Sequence, residues 1–138
     1  MIRLMLGDCL ERMKTIETGS VDMVLADLPY GTTQNTWDSV IPLEPLWKEY
    51  WRVCSGAVVL TAQCPFDKLL GASCLAHLKY EWIWEKAKAT GHLNSKKQPM
   101  KAHENILVFY KAQPTYNPQK TTGKPYLPNG GGSKKDNY

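Results

Sequence analysis

Residues 21–31 read V-D-M-V-L-A-D-L-P-Y-G, and this stretch predicts the fold. Its first six residues form an apolar run with the length of a strand that is buried on both faces, as in a parallel sheet. The strand is predicted to end at Asp27, where Pro29 biases Leu28 toward an extended backbone and Gly31 allows a sharp turn. A carboxylate, a backbone carbonyl and an aromatic ring are therefore expected in one tight cluster.

Strands and helices alternate on both sides of this stretch. The segments predicted as strands are Ile2–Leu6, Val21–Ala26, Ala57–Ala62, Tyr80–Glu85 and Asn105–Tyr110. Helices are predicted after Asp8, over 43–54 and after Pro65, and the helix over 43–54 places its apolar residues on one face. The alternation predicts an α/β domain of three layers with a mainly parallel sheet, whose ligands lie beyond the carboxyl ends of the strands.

The composition excludes several classes of protein. The 138 residues are 43% hydrophobic and 22% charged, which is typical of a globular domain. We find no apolar run long enough for a membrane helix and no signal peptide, so we expect a cytoplasmic protein that does not contact a membrane. The four cysteines lack the paired C-x-x-C spacing of zinc sites, and no metal is predicted.

Charge divides the chain after Glu85. Residues 1–85 carry 7 Lys and Arg against 11 Asp and Glu, whereas residues 86–138 carry 10 against 2. The basic half includes a long polar loop predicted over 86–103, and residues 112–138 are rich in Pro and Gly. Clustered lysines favour a surface that binds a polyanion, and the alternative is a solvated tail.

Two acidic residues are predicted at carboxyl ends of strands. Asp8 can be an N-cap and Asp27 a turn former. However, the Asp27 carboxylate and the Leu28 carbonyl can both accept hydrogen bonds from an amino group on a flat base, and Tyr30 can stack on its ring. The cluster at the end of the second strand is therefore suited to bind such a base.

Three ordered motifs carry a resemblance to a known family. They are G-D-C-L at 7–10, the stretch at 21–31, and E-W-I-W-E-K through H-E-N-I-L-V-F-Y-K over 81–111. This order resembles the DNA amino-methyltransferases of the circularly permuted adenine-N6/cytosine-N4 group, which is common in phages and prophages. The resemblance implies a Rossmann-like methyltransferase fold, S-adenosylmethionine as the cofactor, and double-stranded DNA as the partner.

The resemblance also implies roles for individual residues. Asp27, Leu28, Pro29 and Tyr30 stand where the family has its catalytic D-P-P-Y, which acts on a target nucleotide flipped out of the duplex. Asp at the first position suggests adenine as the target. Asp8 would match the acidic residue that contacts the adenosine part of the cofactor.

The basic half is expected to face the DNA. Lys86, Lys96, Lys97 and Lys101 are the predicted nucleic-acid contacts. Residues 1–111 are expected to form the catalytic half of a methyltransferase domain, and residues 112–138 an extended or disordered basic arm, or the start of a target-recognition region.

The sequence departs from the family pattern in two places. Leu28 replaces the usual first proline, and no D-P-F-x-G-S-G type cofactor loop occurs before Tyr138. We therefore expect an incomplete sheet in which Ile2–Leu6 lacks its usual neighbours. The exposed edge would invite a homo-oligomer or a complementing chain. The alternatives to an active methyltransferase are a non-catalytic DNA-binding remnant and one half of a split enzyme.

Overall fold

The computed structural model describes residues 2–123, which contain three α-helices and four β-strands. In chain order these are α1 (Cys9–Met13), β1 (Val21–Asp27), α2 (Leu43–Val53), β2 (Cys54–Ala62), α3 (Phe66–Ser73), β3 (Leu78–Thr90) and β4 (Lys101–Phe109). Short 3₁₀ helices cover Leu75–His77 and His92–Asn94. Residues 110–123 belong to no helix or strand, and the rest of the predicted arm, 124–138, lies outside the described residues.

The four strands form one sheet in the order β1-β2-β4-β3. Strands β1 and β2 run parallel, whereas β4 is antiparallel to both of its neighbours. The predicted α/β fold class is confirmed, and the sheet is mixed where we expected a mainly parallel one. The reason is that β3 and β4 are consecutive strands joined by a short connection, and such a connection produces an antiparallel hairpin.

The hydrophobic core lies between the three helices and one face of the sheet. Helix α2 contributes the buried side chains Leu46, Trp47, Tyr50 and Val53, whose spacing places them on one helical face. They pack against alternate residues of β2 and β4, such as Leu60 and Phe109, together with residues of α1 and α3. Because side chains alternate between the faces of a strand, this packing fixes which face of the sheet each side chain occupies.

The opposite face of the sheet has no helix on it among residues 2–123. Its centre is a small cluster around Ala57, Val59 and Val108. At its margins Leu25 and Trp82 are 66% and 50% exposed. The described residues thus form two of the three layers that the sequence predicts.

Two predicted elements are wrong. The segment Ile2–Leu6 forms no strand, and its residues Ile2, Leu4 and Leu6 are at least 90% exposed. A strand needs a hydrogen-bonding neighbour, and the sheet of the described residues ends at β1. The loop predicted over 86–103 is shorter, because β3 continues to Thr90 and β4 begins at Lys101. Backbone hydrogen bonds between β3 and β4 extend both strands through polar residues, which do not contribute to the hydrophobic core.

None of the helices within residues 2–123 is long and apolar enough to cross a membrane.

Candidate active site

Asp27 is the last residue of β1, and the parallel register places it beside Thr61 of β2. One carboxylate oxygen, Oδ1, accepts a hydrogen bond from the Tyr30 hydroxyl at 2.7 Å and a short one from the Thr61 hydroxyl. The two hydroxyl oxygens are 2.9 Å apart. None of the described residues hydrogen-bonds the other oxygen, Oδ2, so this oxygen can accept a hydrogen bond from a ligand.

The backbone after Asp27 is held in place on both sides. Leu28 is only 8% exposed and packs into the main core. Gly31 has a φ of +66°, and a Cβ there would lie 2.8 Å from Val40 Cγ2, so the turn requires glycine. The cluster predicted from residues 27–31 therefore exists as a tight turn at the carboxyl end of a strand.

Asp38, which the sequence analysis did not identify as a site residue, organises the loop that follows this turn. Its carboxylate accepts backbone hydrogen bonds from Gly31, Thr32 and Thr33 at 2.9, 2.9 and 2.7 Å. Burial raises the pKa of Asp38, but the hydrogen bonds from Gly31, Thr33 and Thr32 outweigh it and lower the pKa to about 2. The loop beside Tyr30 is therefore fixed by an ionised carboxylate.

Contacts of the hydroxyl group and of one ring face orient the Tyr30 side chain. Its hydroxyl bonds Asp27 as described, and one face of its ring stacks on Phe66 with centroids 5.5 Å apart and planes inclined by 23°. Burial and the negative charges of Asp27 and Glu104 raise the pKa of Tyr30, while the hydrogen bond with Thr61 opposes the rise. The phenol therefore stays neutral at physiological pH and keeps its proton.

Asp8 is the N-cap of α1. Its Oδ1 accepts hydrogen bonds from the backbone N–H groups of Leu10 and Glu11 at 2.8 and 3.2 Å. The capping role considered from the sequence is confirmed. The carboxylate's other oxygen has no hydrogen-bond partner within residues 2–123.

The four predicted DNA-contacting lysines lie in two different environments. Lys96 and Lys97 are exposed in the connection between β3 and β4. Lys86 lies in β3 and forms an ion pair with Glu104 of β4. Lys101 opens β4 and donates hydrogen bonds to Gln63 Oε1 at 2.8 Å and to the Cys64 carbonyl at 3.2 Å. Lys86 and Lys101 are therefore partly buried with partners in the protein, whereas Lys96 and Lys97 are exposed, and contact of all four with nucleic acid stays a prediction.

Thr61 is a site residue that the sequence analysis missed. It reaches the cluster because β2 pairs with β1, which lies far away in the sequence, and local patterns do not record such pairing. The described residues contain no group of three His, Cys, Asp or Glu side chains that could hold a metal ion.

The fold is shared with solved structures of other proteins. The structure of the M1.HpyAVI–SAM complex matches with a TM-score of 0.64 at 18% identity, over 92% of this chain and 62% of that chain. TTHA0409 from Thermus thermophilus, described as a candidate DNA modification methylase, matches in its selenomethionine form with a TM-score of 0.54 at 19% identity, over 83% of this chain and 54% of that one. A second structure of TTHA0409 gives 0.55 at 18% identity, over 84% and 56%.

These likenesses confirm the fold that the sequence motifs implied. The chain spans about three fifths of M1.HpyAVI and just over half of TTHA0409. No protein-family model matches the sequence, and no curated protein matches it either.

Proposed function

We propose that the chain is the base-binding part of a DNA methyltransferase, which transfers a methyl group from S-adenosylmethionine to the N6 amino group of adenine in double-stranded DNA. The observation that carries this proposal is the cluster at the end of β1. There Asp27 has one oxygen fixed by two hydroxyl groups and the other available to a ligand. The shared fold with DNA modification methylases supports the same proposal.

The geometry of the cluster supports binding of an amino group. With the target nucleotide flipped out of the duplex, Asp27 Oδ2 and the Leu28 carbonyl would accept the two N–H bonds of the amino group. The nitrogen lone pair would then form a bond to the methyl carbon as the carbon–sulfur bond breaks and the sulfur keeps its electron pair. One proton of the amino group would pass to Asp27 Oδ2 or to water. Tyr30 and Thr61 act as positioning residues, because they hold Asp27 Oδ1 and so fix the direction of the free oxygen.

Stacking supports the orientation of the base. Phe66 covers one face of the Tyr30 ring, so the target base would stack on the opposite face. The replacement of the family's first proline by leucine is compatible with this arrangement. The buried Leu28 side chain restrains the same backbone that a proline ring would restrain through φ.

Asp8 is the residue within the described range that would contact the cofactor. Its Oδ1 already caps α1, which leaves Oδ2 to accept a hydrogen bond from the adenosine part of S-adenosylmethionine. When bound, the cofactor supplies the methyl group.

Lys96 and Lys97 would contact the phosphates of the duplex, since both are exposed and belong to the basic half of the chain. Residues 112–138 would extend this surface as the predicted arm beyond the 1–111 catalytic half.

The test is methyl transfer to DNA with Asp27→Ala compared with Asp22→Ala, which removes an exposed carboxylate from the same strand. Tritiated S-adenosylmethionine and double-stranded DNA are incubated with each protein, and the methylated nucleoside is identified by mass spectrometry. We expect N6-methyladenine with the unaltered chain and with Asp22→Ala. We expect none with Asp27→Ala, while binding to DNA stays within about twofold because phosphate contacts dominate affinity.

Other outcomes would refute separate parts of the proposal. N4-methylcytosine as the product would overturn adenine as the target. Full activity of Asp27→Ala would overturn the role of the cluster. If the unaltered chain binds DNA but gives no transfer and no calorimetric heat with S-adenosylmethionine, it is a DNA-binding remnant or one half of a split enzyme.

A further inference from the structure

A cavity of about 370 Å³, lined mostly by polar residue types, lies next to the Asp27 cluster and does not include it. It is formed where β2 ends, α3 begins and β4 begins. Its lining includes Gln63, Asp67, Lys101, Glu104 and Asn105. The volume falls in the range of small-molecule sites. Its position is set by the sheet, because Asn105 pairs with Ala62, the residue after Thr61.

Asn105 gives the cavity an unmet hydrogen-bonding requirement. The residue is 7% exposed, and its Nδ2 donates to the buried carboxylate of Asp67 at 2.7 Å. Its Oδ1 is fully buried and has no partner within residues 2–123. A buried amide oxygen without a donor costs free energy, so this atom is suited to accept a hydrogen bond from a bound molecule.

Lys101 supplies the complementary group. Its ammonium carries three N–H donors, of which two are used by Gln63 Oε1 and the Cys64 carbonyl. The third can donate to a ligand. Gln63 is itself held from the other side by a weak 3.5 Å contact from its Nε2 to Glu104 Oε1. The unpartnered oxygen of Asn105 and the remaining donor of Lys101 therefore belong to two residues that line one cavity.

The mixed charges of the lining restrict the class of ligand. Lys101 and Lys68 disfavour a metal cation, and Asp67 and Glu104 disfavour a simple anion. A flat neutral molecule that presents a donor beside an acceptor on one edge satisfies both Asn105 and Lys101. The edges of nucleobases have this pattern.

We propose that this cavity binds a base of the DNA other than the base held at Asp27, and that Asn105, Gln63 and Lys101 contribute to sequence specificity. The inference rests on the proposed function, which makes DNA the source of the base. It gives the chain a second base-binding site beside the first.

The test is a nuclear magnetic resonance titration of the ¹⁵N-labelled chain with dAMP, dCMP, dGMP and dTMP, and with 2-deoxyribose 5-phosphate as the control without a base. We expect the side-chain amide signals of Gln63 and Asn105 to shift with at least one nucleotide and to stay in place with the sugar phosphate. Lys101→Met should weaken binding about tenfold, the loss of one hydrogen bond from a charged donor. Lys88→Met, which removes an exposed lysine of β3, should leave it unchanged.

Asn105 itself is left intact, since its substitution would leave Asp67 without its amide partner; Gln63→Met is the second variant and should weaken nucleotide binding. If 2-deoxyribose 5-phosphate shifts these amide signals as much as the nucleotides do, the cavity is a phosphate site and the proposal is overturned. Amide signals that no nucleotide moves, or equal losses of affinity in Lys88→Met and Lys101→Met, would also overturn it. Methyl transfer has no part in this measurement. Nucleotide binding without methylation would therefore refute the proposed function alone, and methylation without these shifts would refute the second site alone.

Discussion

Replacement of Arg52 by methionine should destabilise the whole domain. Arg52 lies in the last turn of α2, and its guanidinium donates hydrogen bonds to the backbone carbonyls of Met13 at 2.6 Å and Ile16 at 2.8 Å. It also contacts Glu49 through two further hydrogen bonds. These bonds tie the end of α1, the helix capped by Asp8, to the middle of the chain.

The magnitude follows from the two carbonyl contacts. A hydrogen bond from a charged donor contributes about 1.5–3 kcal/mol net, and the lower value applies because water can reach a side chain that is 29% exposed. Two such bonds give a loss of about 3 kcal/mol in the free energy of unfolding. The loss should be global, because the buried Met13 belongs to the main core and couples α1 to the sheet. Methionine keeps most of the aliphatic length of the arginine, so packing changes little.

The assay is urea unfolding followed by tryptophan fluorescence, with Arg12→Met as the matched control. Arg12 is an exposed arginine of α1, and its loss should change the free energy of unfolding by less than about 0.5 kcal/mol. Equal unfolding free energies for the Arg52 and Arg12 variants would refute the reasoning. Faster amide hydrogen exchange over 9–16 alone, with unchanged global stability, would show that α1 is not coupled to the core.

Two further predictions concern the charged groups of the site. The pKa of Asp38 is lowered in the folded state, so its contribution to stability is complete above about pH 4 and is lost as the pH falls toward 2. The difference in urea midpoint between the unaltered chain and Asp38→Asn should shrink over that interval, and a difference that is constant with pH would contradict this. Replacing Lys96 and Lys97 together by glutamine should reduce the slope of log affinity for double-stranded DNA against log salt by about 2, whereas Lys48→Gln should leave the slope unchanged. An unaltered slope in the double variant would mean that these lysines are only solvated.

Much of the fold follows from local patterns. The spacing of apolar residues predicts α2 over 43–54, and the observed helix is Leu43–Val53. The apolar run that begins at Val21 predicts β1, which ends at Asp27 as expected. These elements are predictable because a periodic apolar face or a short buried run determines local structure within one segment.

The strand predicted at Ile2–Leu6 shows the limit of such patterns. Its residues have strand-forming character, yet they are exposed and unpaired in the structure. Propensity alone does not form a strand, because its backbone groups need a neighbour. The hairpin of β3 and β4 shows the opposite case, in which strand structure occurs where a loop is predicted. Backbone pairing extends both strands through polar residues whose pattern predicts a loop.

Local sequence patterns predict the α/β class and the turn of Asp27, Leu28, Pro29 and Tyr30, since proline, glycine and an apolar run act on adjacent residues. The tertiary structure alone brought Thr61 to Asp27, paired Lys86 with Glu104, and left the buried oxygen of Asn105 facing no described partner. The first two contacts join residues 34 and 18 positions apart, and the third feature depends on the elements packed around β4. Only the pairing and packing of the sheet determine them.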